Sequence, residues 1–338
     1  MKGAAYYAII AVCLLLIPIN AFPGSAGSEN EPILDEDARS PDDLSFFSEN
    51  IHYENDIVYR AAAGDFMPDH PGNELATCSS NGNVVVTYGT RQSWTSRVVH
   101  RSVYPWGEKA EVYSMDSGDV LPENAGEELI AVDQRYFVNL IEYHETTGKW
   151  TSEMIWNDTD WLYEVDLGEL SGEPDQLEIV VVGEQKHAKL LERNGDSWTN
   201  TTIAKDIDIF ETCWIADIDG KIPGNEVYLG GGRGIIFVSY PEGDAWFQEE
   251  IMDVGSQITD LLAADMDPNI IGKELYASTI AGDVWKLWLS EGEWDKSLVH
   301  SEGKLIYGME TGTFDGTEVL SIASYNNRIV ILWYDDGF

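Results

Sequence analysis

Cationic residues are scarce in this chain. Twenty Lys and Arg stand against 60 Asp and Glu over 338 residues, for a formal net charge of −40. Nucleic-acid binding needs a basic footprint, so that class is excluded. Anionic membrane surfaces are disfavoured for the same reason. The charge suits a solvated surface in salty surroundings, or one that cations partly neutralise. Cysteine is scarce too, with three residues. Cys13 lies in an N-terminal apolar run, which leaves Cys78 and Cys213 and excludes a disulfide-stapled scaffold. Beyond that run there is no second apolar span and no sustained 3.6-residue apolar period, so helices are not expected. Also missing are Gly-x-Ser-x-Gly, His-Glu-x-x-His and a Gly-rich phosphate loop, so no nucleophile–base pair can be assigned.

What is present is a period. Large aromatics fall at Phe46, Trp94, Trp150, Trp198, Trp246 and Trp294, in steps of 48, 56, 48, 48 and 48. A second ladder places a Glu before an aliphatic residue at Glu74, Glu128, Glu178, Glu226, Glu274 and Glu318. An aliphatic residue recurs five places after each aromatic, at Ile51, Val99, Ile155, Ile203, Ile251 and Val299. Within one period, short apolar runs alternate with Gly, Asn and Asp clusters, the signature of a meander of hairpins. Periods of about 40–50 residues built this way predict a propeller. The fold class is therefore all-β: six blades of four antiparallel strands. Blade two has the long step, with extra residues around 104–108 and 119–126 that predict rim loops.

The chain ends bear on closure. Residues 46–53 repeat the outer-strand pattern, and the last repeat stops where its own outer strand should begin. The N-terminal strand is thus expected to complete the last blade and cover its edge. Residues 46–338 form one propeller domain on this reading. In residues 1–26, Met1 and Lys2 precede an apolar run, and Gly24, Ser25 and Ala26 offer a cleavage site. This predicts a secretory signal or, alternatively, an uncleaved membrane anchor. Residues 27–45 are acidic and read as a flexible leader. Cys78 and Cys213 fall across the ring from each other, too far apart to bond, and are expected to be small buried thiols.

The link between first and second strands is the recurrent polar feature. Blade four gives Asp217, Asp219 and Glu226; blade five gives Asp265, Asp267 and Glu274; blade one gives Asp65, Asp69 and Glu74. Carboxylates one residue apart on a tight turn can begin a Ca²⁺ shell of about six to eight oxygens, completed by backbone carbonyls. The bland alternative is that each Asp pins a turn and each Glu satisfies loop amides. In these loops the chain resembles the FG-GAP/VCBS family of extracellular propellers, related to the integrin α-subunit head. The resemblance implies a secreted or cell-surface propeller, often with Ca²⁺ in these loops, and an adhesive or ligand-binding role. The chain departs from the family pattern at Lys221 and Asn269, where a third acidic residue is usual, and at Pro268, where blade four has Gly220.

His52, His100 and His300 share the sixth place after the aromatic in their outer strands and are expected to be solvated or edge-strand histidines. The Trp column is expected to pack between blades. Trp106, Trp156, Trp161 and Trp288 lie outside it and could stack on a sugar or peptide, although core packing is the simpler role. Three function classes follow. The first is a monomeric, non-catalytic module presenting loops to a protein or glycan ligand. The second is a lyase or hydrolase acting on a polysaccharide or ester through channel carboxylates; a scaffold subunit of a surface complex is a third.

Overall fold

Each described strand pairs antiparallel with its neighbour in sequence, and the pattern repeats six times in the computed structural model. The structure describes residues 56–90, 93–172, 177–243, 245–314, 317–325 and 328–333. Blade one holds β1 (Val58–Gly64), β2 (Glu74–Ser79), β3 (Asn83–Thr90) and β4 (Ser93–Arg101). Blade two holds β5 (Val112–Gly118), β6 (Glu128–Asp133), β7 (Phe137–His144) and β8 (Lys149–Asn157). Blade three holds β9 (Leu162–Gly168), β10 (Glu178–Gly183), β11 (His187–Asn194) and β12 (Ser197–Lys205). Blade four holds β13 (Phe210–Ala216), β14 (Glu226–Gly231), β15 (Ile235–Glu242) and β16 (Ala245–Asp253). Blade five holds β17 (Ile258–Ala264), β18 (Glu274–Thr279), β19 (Asp283–Ser290) and β20 (Glu293–Ser301). Blade six holds β21 (Ile306–Phe314), β22 (Thr317–Ser324) and β23 (Arg328–Trp333). The molecule is a six-bladed β-propeller with no helix among the described residues. The expected closing strand at residues 46–53 lies outside them.

The second strand of each blade explains the apolar runs in the sequence. In β6, β10, β14 and β18 every residue is buried. These strands face neighbouring sheets on both sides, so they do not alternate polar and apolar. The core is accordingly a set of wedges, one between each pair of successive sheets from blade one to blade six. A fully buried Leu or Ile such as Ile179 or Leu229 contributes about 1.5–3 kcal/mol. The Trp column seals these wedges, as expected. Trp150, Trp198, Trp246 and Trp294 pack on the clusters between blades one–two, two–three, three–four and four–five.

Two β-bulges recur in the blades and tie the sequence ladders to geometry. In blades one to five the third and fourth strands slip register by one residue. The residue left unopposed is Val99, Ile155, Ile203, Ile251 or Val299, which is the aliphatic ladder itself. The first and second strands slip once in all six blades, and the unopposed residues are Tyr59, Tyr113, Tyr163, Glu211, Thr259 and Tyr307. A bulge bends its strand and re-aims a side chain. At the far end of the inner strands small residues let neighbouring blades approach. A Cβ at Gly168 would stand 2.5 Å from Ile215 Cγ2.

Candidate functional site

The inner strands line a central channel, and their third residues set its chemistry. These are Arg60, Ser114, Glu164, Thr212, Asp260 and Gly308, each one residue past its bulge. The Arg60 guanidinium donates to Glu164 and stands 3.4 Å from Asp260 Oδ1. Those residues belong to blades one, three and five, so they meet on the ring axis. An inner strand also exposes backbone N–H groups that no strand pairs, and buried donors need acceptors. Carboxylates of the preceding blade supply them. Leu167 N donates to Asp116 Oδ2 at 2.9 Å, Ile215 N to Asp166 Oδ2 at 2.5 Å, and Met309 N to Asp260 Oδ2 at 2.6 Å. Asp116 and Asp166 are neighbours in this buried row, and burial raises both carboxyls. Burial, then the Asp116 charge, holds Asp166 well above the usual carboxylate range. Glu310 lines the same channel, and close walls raise its carboxyl.

The mouth where the inner strands begin is built by the bulge column. Blade-to-blade connections and the turns between second and third strands gather here. Ser80, Gln134, Glu184, Gly232, Ile280 and Tyr325 each donate a backbone N–H to the carbonyl just ahead of an inner strand. The six sectors differ chemically. Aromatic rings concentrate in blades one to three, where the Tyr113 ring lies 5.7 Å from Tyr59, 6.5 Å from Trp161 and 6.3 Å from Tyr163. Their hydroxyls are tied to acid: Tyr59 donates to Glu111, and Tyr163 donates to Glu184 Oε1 at 2.6 Å. On the facing wall Gln257 donates to Glu211 Oε1 at 2.8 Å. Burial, then the Asp208 charge, pushes Glu211 up to about 7.

Two further features mark this sector. The expected rim insertion at residues 104–108 stands at this face, closed by a bridge between Val103 and Lys109. It stacks Trp106 on Tyr104 at 4.5 Å and 8°, with Trp106 67% exposed. The turns also differ from the rest. Gly82, Gly234 and Gly282 take left-handed backbone in blades one, four and five, whereas blades two and three put Tyr136 (φ 72°) and Lys186 (φ 61°) there. A left-handed Tyr or Lys is strained, and such strain concentrates at functional positions.

The sequence-predicted acidic loops lie at the other mouth. Their Glu residues are buried and accept loop amides through one oxygen. Ile218 N and Asp219 N donate to Glu226 Oε2, Met266 N and Asp267 N to Glu274 Oε2, and Met67 N to Glu74 Oε2. Glu128 and Glu178 do the same, while Glu318 is exposed. Asp219 Oδ1 accepts from Lys221 N, and Asp267 Oδ2 pairs with Lys286 Nζ at 2.5 Å. Asp69 accepts from the Tyr143 hydroxyl of the next blade. Asp65, Asp217 and Asp265 sit at the starts of their loops. Among the described residues no group of three or more His, Cys, Asp and Glu side chains is clustered closely enough to hold a metal ion.

Other expectations divide. Cys78 and Cys213 are buried and unbonded, as expected, and burial pushes the Cys78 thiol up to about 12. His100 lies on the outer strand β4, an edge-strand histidine as expected, and is buried rather than solvated. Burial, offset partly by Asp133, lowers it to about 4, and its Nδ1 lies 2.7 Å from Ser152 Oγ. The reason is the outer-strand bulge, which turns Val99 aside and brings His100 against the next blade. Sequence reasoning missed the mouth because its bulge column is Tyr in four blades but Glu211 and Thr259 in blades four and five, and its spacing is irregular between blades one and three. No family model matches this chain, and no curated protein matches it.

Proposed function

We propose that this chain is an exported, non-catalytic binding module that recognises a protein or glycan ligand at the channel mouth on blades one to three. One observation carries the reading. The same bulge turns one residue of every blade toward one mouth, and three adjacent blades fill that position with Tyr beside the exposed Trp106 insertion. Rigid aromatics on a propeller rim suit stacking on a sugar or peptide. An enzymatic role for the channel has less support, since Asp116, Asp166 and Asp260 are committed to amides of the next blade. Export is supported by the apolar run at residues 4–19 and the small residues after it. Kinship with FG-GAP/VCBS propellers is supported by the Asp-x-Asp loops and the Glu ladder.

The test is direct. The purified protein is applied to panels of immobilised oligosaccharides and peptides, beside Trp106→Ala and Trp161→Phe variants. Any ligand found should lose at least tenfold in affinity with one variant or both. Unchanged binding in both variants, or release of cleaved products from the panel, would overturn the reading.

A further inference from the structure

We infer that the mouth on blades one to three takes a ligand through an ammonium group, seated on the Tyr113 ring cluster and facing the channel carboxylates. The inference rests on the reading of this mouth as the recognition site and names the chemistry it selects.

Three observations converge. The rings of Tyr113, Trp161 and Tyr163 form a tilted, half-buried cluster backed by the buried Tyr59, and aromatic faces attract cations. Acid surrounds the cluster on both walls, with Glu111 and Glu184 fixed by tyrosine hydroxyls and Glu211 opposite. Below it, Arg60 is already paired with Glu164 and Asp260, while Asp116, Asp166 and Glu310 line the same passage. The channel therefore offers an incoming cation an excess of carboxylate, and the channel's Arg60 is already paired with two carboxylates. The third observation is independent of charge. Ser114 Oγ and Thr212 Oγ1 are buried without a hydrogen-bond partner. Both hold the register position that Arg60, Glu164 and Asp260 hold in their own blades. Buried hydroxyls lacking a partner are unusual in a native interior. An ammonium supplies three donors that such oxygens can accept.

The same chemistry occurs in free polyamines and in lysine side chains of a protein segment, and two probes separate them. Calorimetric titrations at low salt would use spermidine, a tetralysine peptide and maltohexaose as the neutral control. One ammonium probe should bind saturably at one site, and the tighter one identifies the source. Tyr113→Leu, and separately the pair Glu111→Gln with Glu184→Gln, should weaken it at least tenfold. The Gln variants retain an acceptor for each tyrosine hydroxyl and so guard against simple misfolding. Neutralising the exposed outer-strand carboxylates with Glu153→Gln and Glu250→Gln should change affinity less than twofold. Equal loss in both charge pairs would show diffuse attraction by a −40 surface and overturn the inference. Failure of both ammonium probes to saturate would also overturn it. Binding of maltohexaose that depends on Tyr113, without ammonium binding, would overturn it and leave the mouth standing as the recognition site.

Discussion

Glu226 faces two opposite demands. Its Oε2 accepts from Ile218 N, Asp219 N and the Tyr228 hydroxyl, which favours the carboxylate. Its Oε1 is buried without a partner, which disfavours it. Burial dominates, and the carboxyl is pushed up to about 7. A proton is one way to relieve that oxygen, and a cation is the other. We propose that Ca²⁺ binds in the blade-four loop by drawing Asp217 and Asp219 in toward Glu226, since as they stand the three carboxylates are not clustered closely enough to hold a metal ion; the orphaned Oε1 of Glu226 supports this. Blade five fits less well, because Lys286 already occupies Asp267. The two routes have opposite pH signatures. A folded-state pKa raised above the unfolded value gives stability that is complete below about 4.5 and is lost as pH rises through about 7. In chelator, wild type should therefore melt a few degrees higher at pH 6 than at pH 8, and Glu226→Gln should lose part of that slope. Glu128 and Glu211 also rise to about 7 and retain the rest. Added Ca²⁺ needs the carboxylate, so it should raise the melting temperature more at pH 8 than at pH 6. An unchanged slope in Glu226→Gln would remove the titration assignment, and no Ca²⁺ shift at pH 8 would remove the cation.

The strand explains why two ladders were visible in the sequence and a third was not. The aliphatic ladder is a column of bulge residues that pack toward the core, so apolar character recurs every 48 residues. The Glu ladder recurs because each loop needs the same acceptor for its amides. The mouth column obeys the same backbone geometry but carries no common side-chain task. It varies from Tyr59 to Glu211 to Thr259, and the longer connection before Tyr113 breaks its step. Function had freedom there, and freedom erases periodicity. The packing role of the aliphatic column can be graded within one molecule. Ile203 is 3% exposed and Val299 39%. Ile203→Ala should lose about 2–4 kcal/mol in urea unfolding, whereas Val299→Ala should stay within about 0.5 kcal/mol. Equal losses at both sites would mean that the column serves bulge geometry rather than burial.

At the scale of the ring, blade number and phase were legible, because a propeller repeats one sheet around an axis and the sequence must repeat with it. The contents of the axis were not. Arg60 meets Glu164 and Asp260 across 104 and 200 residues of chain, and no local pattern announces such a meeting. Closure stands between these cases. Blade six has three described strands, and among the described residues β23 pairs only with β22. Ile329 and Trp333 on β23 are 52% and 61% exposed, an apolar edge of the kind that recruits another strand. The outer-strand pattern at residues 46–53 makes that segment the expected partner. A chain lacking residues 1–26 should then melt like the full chain. A chain lacking residues 1–55 should melt lower by roughly 5 °C or more and self-associate as concentration rises, since its edge can pair with a second copy. A synthetic peptide of residues 44–55 should restore the melting temperature in proportion to its concentration, because it binds only the folded ring. If both truncated chains melt together and remain monomeric, the last blade is not completed by the N-terminal segment.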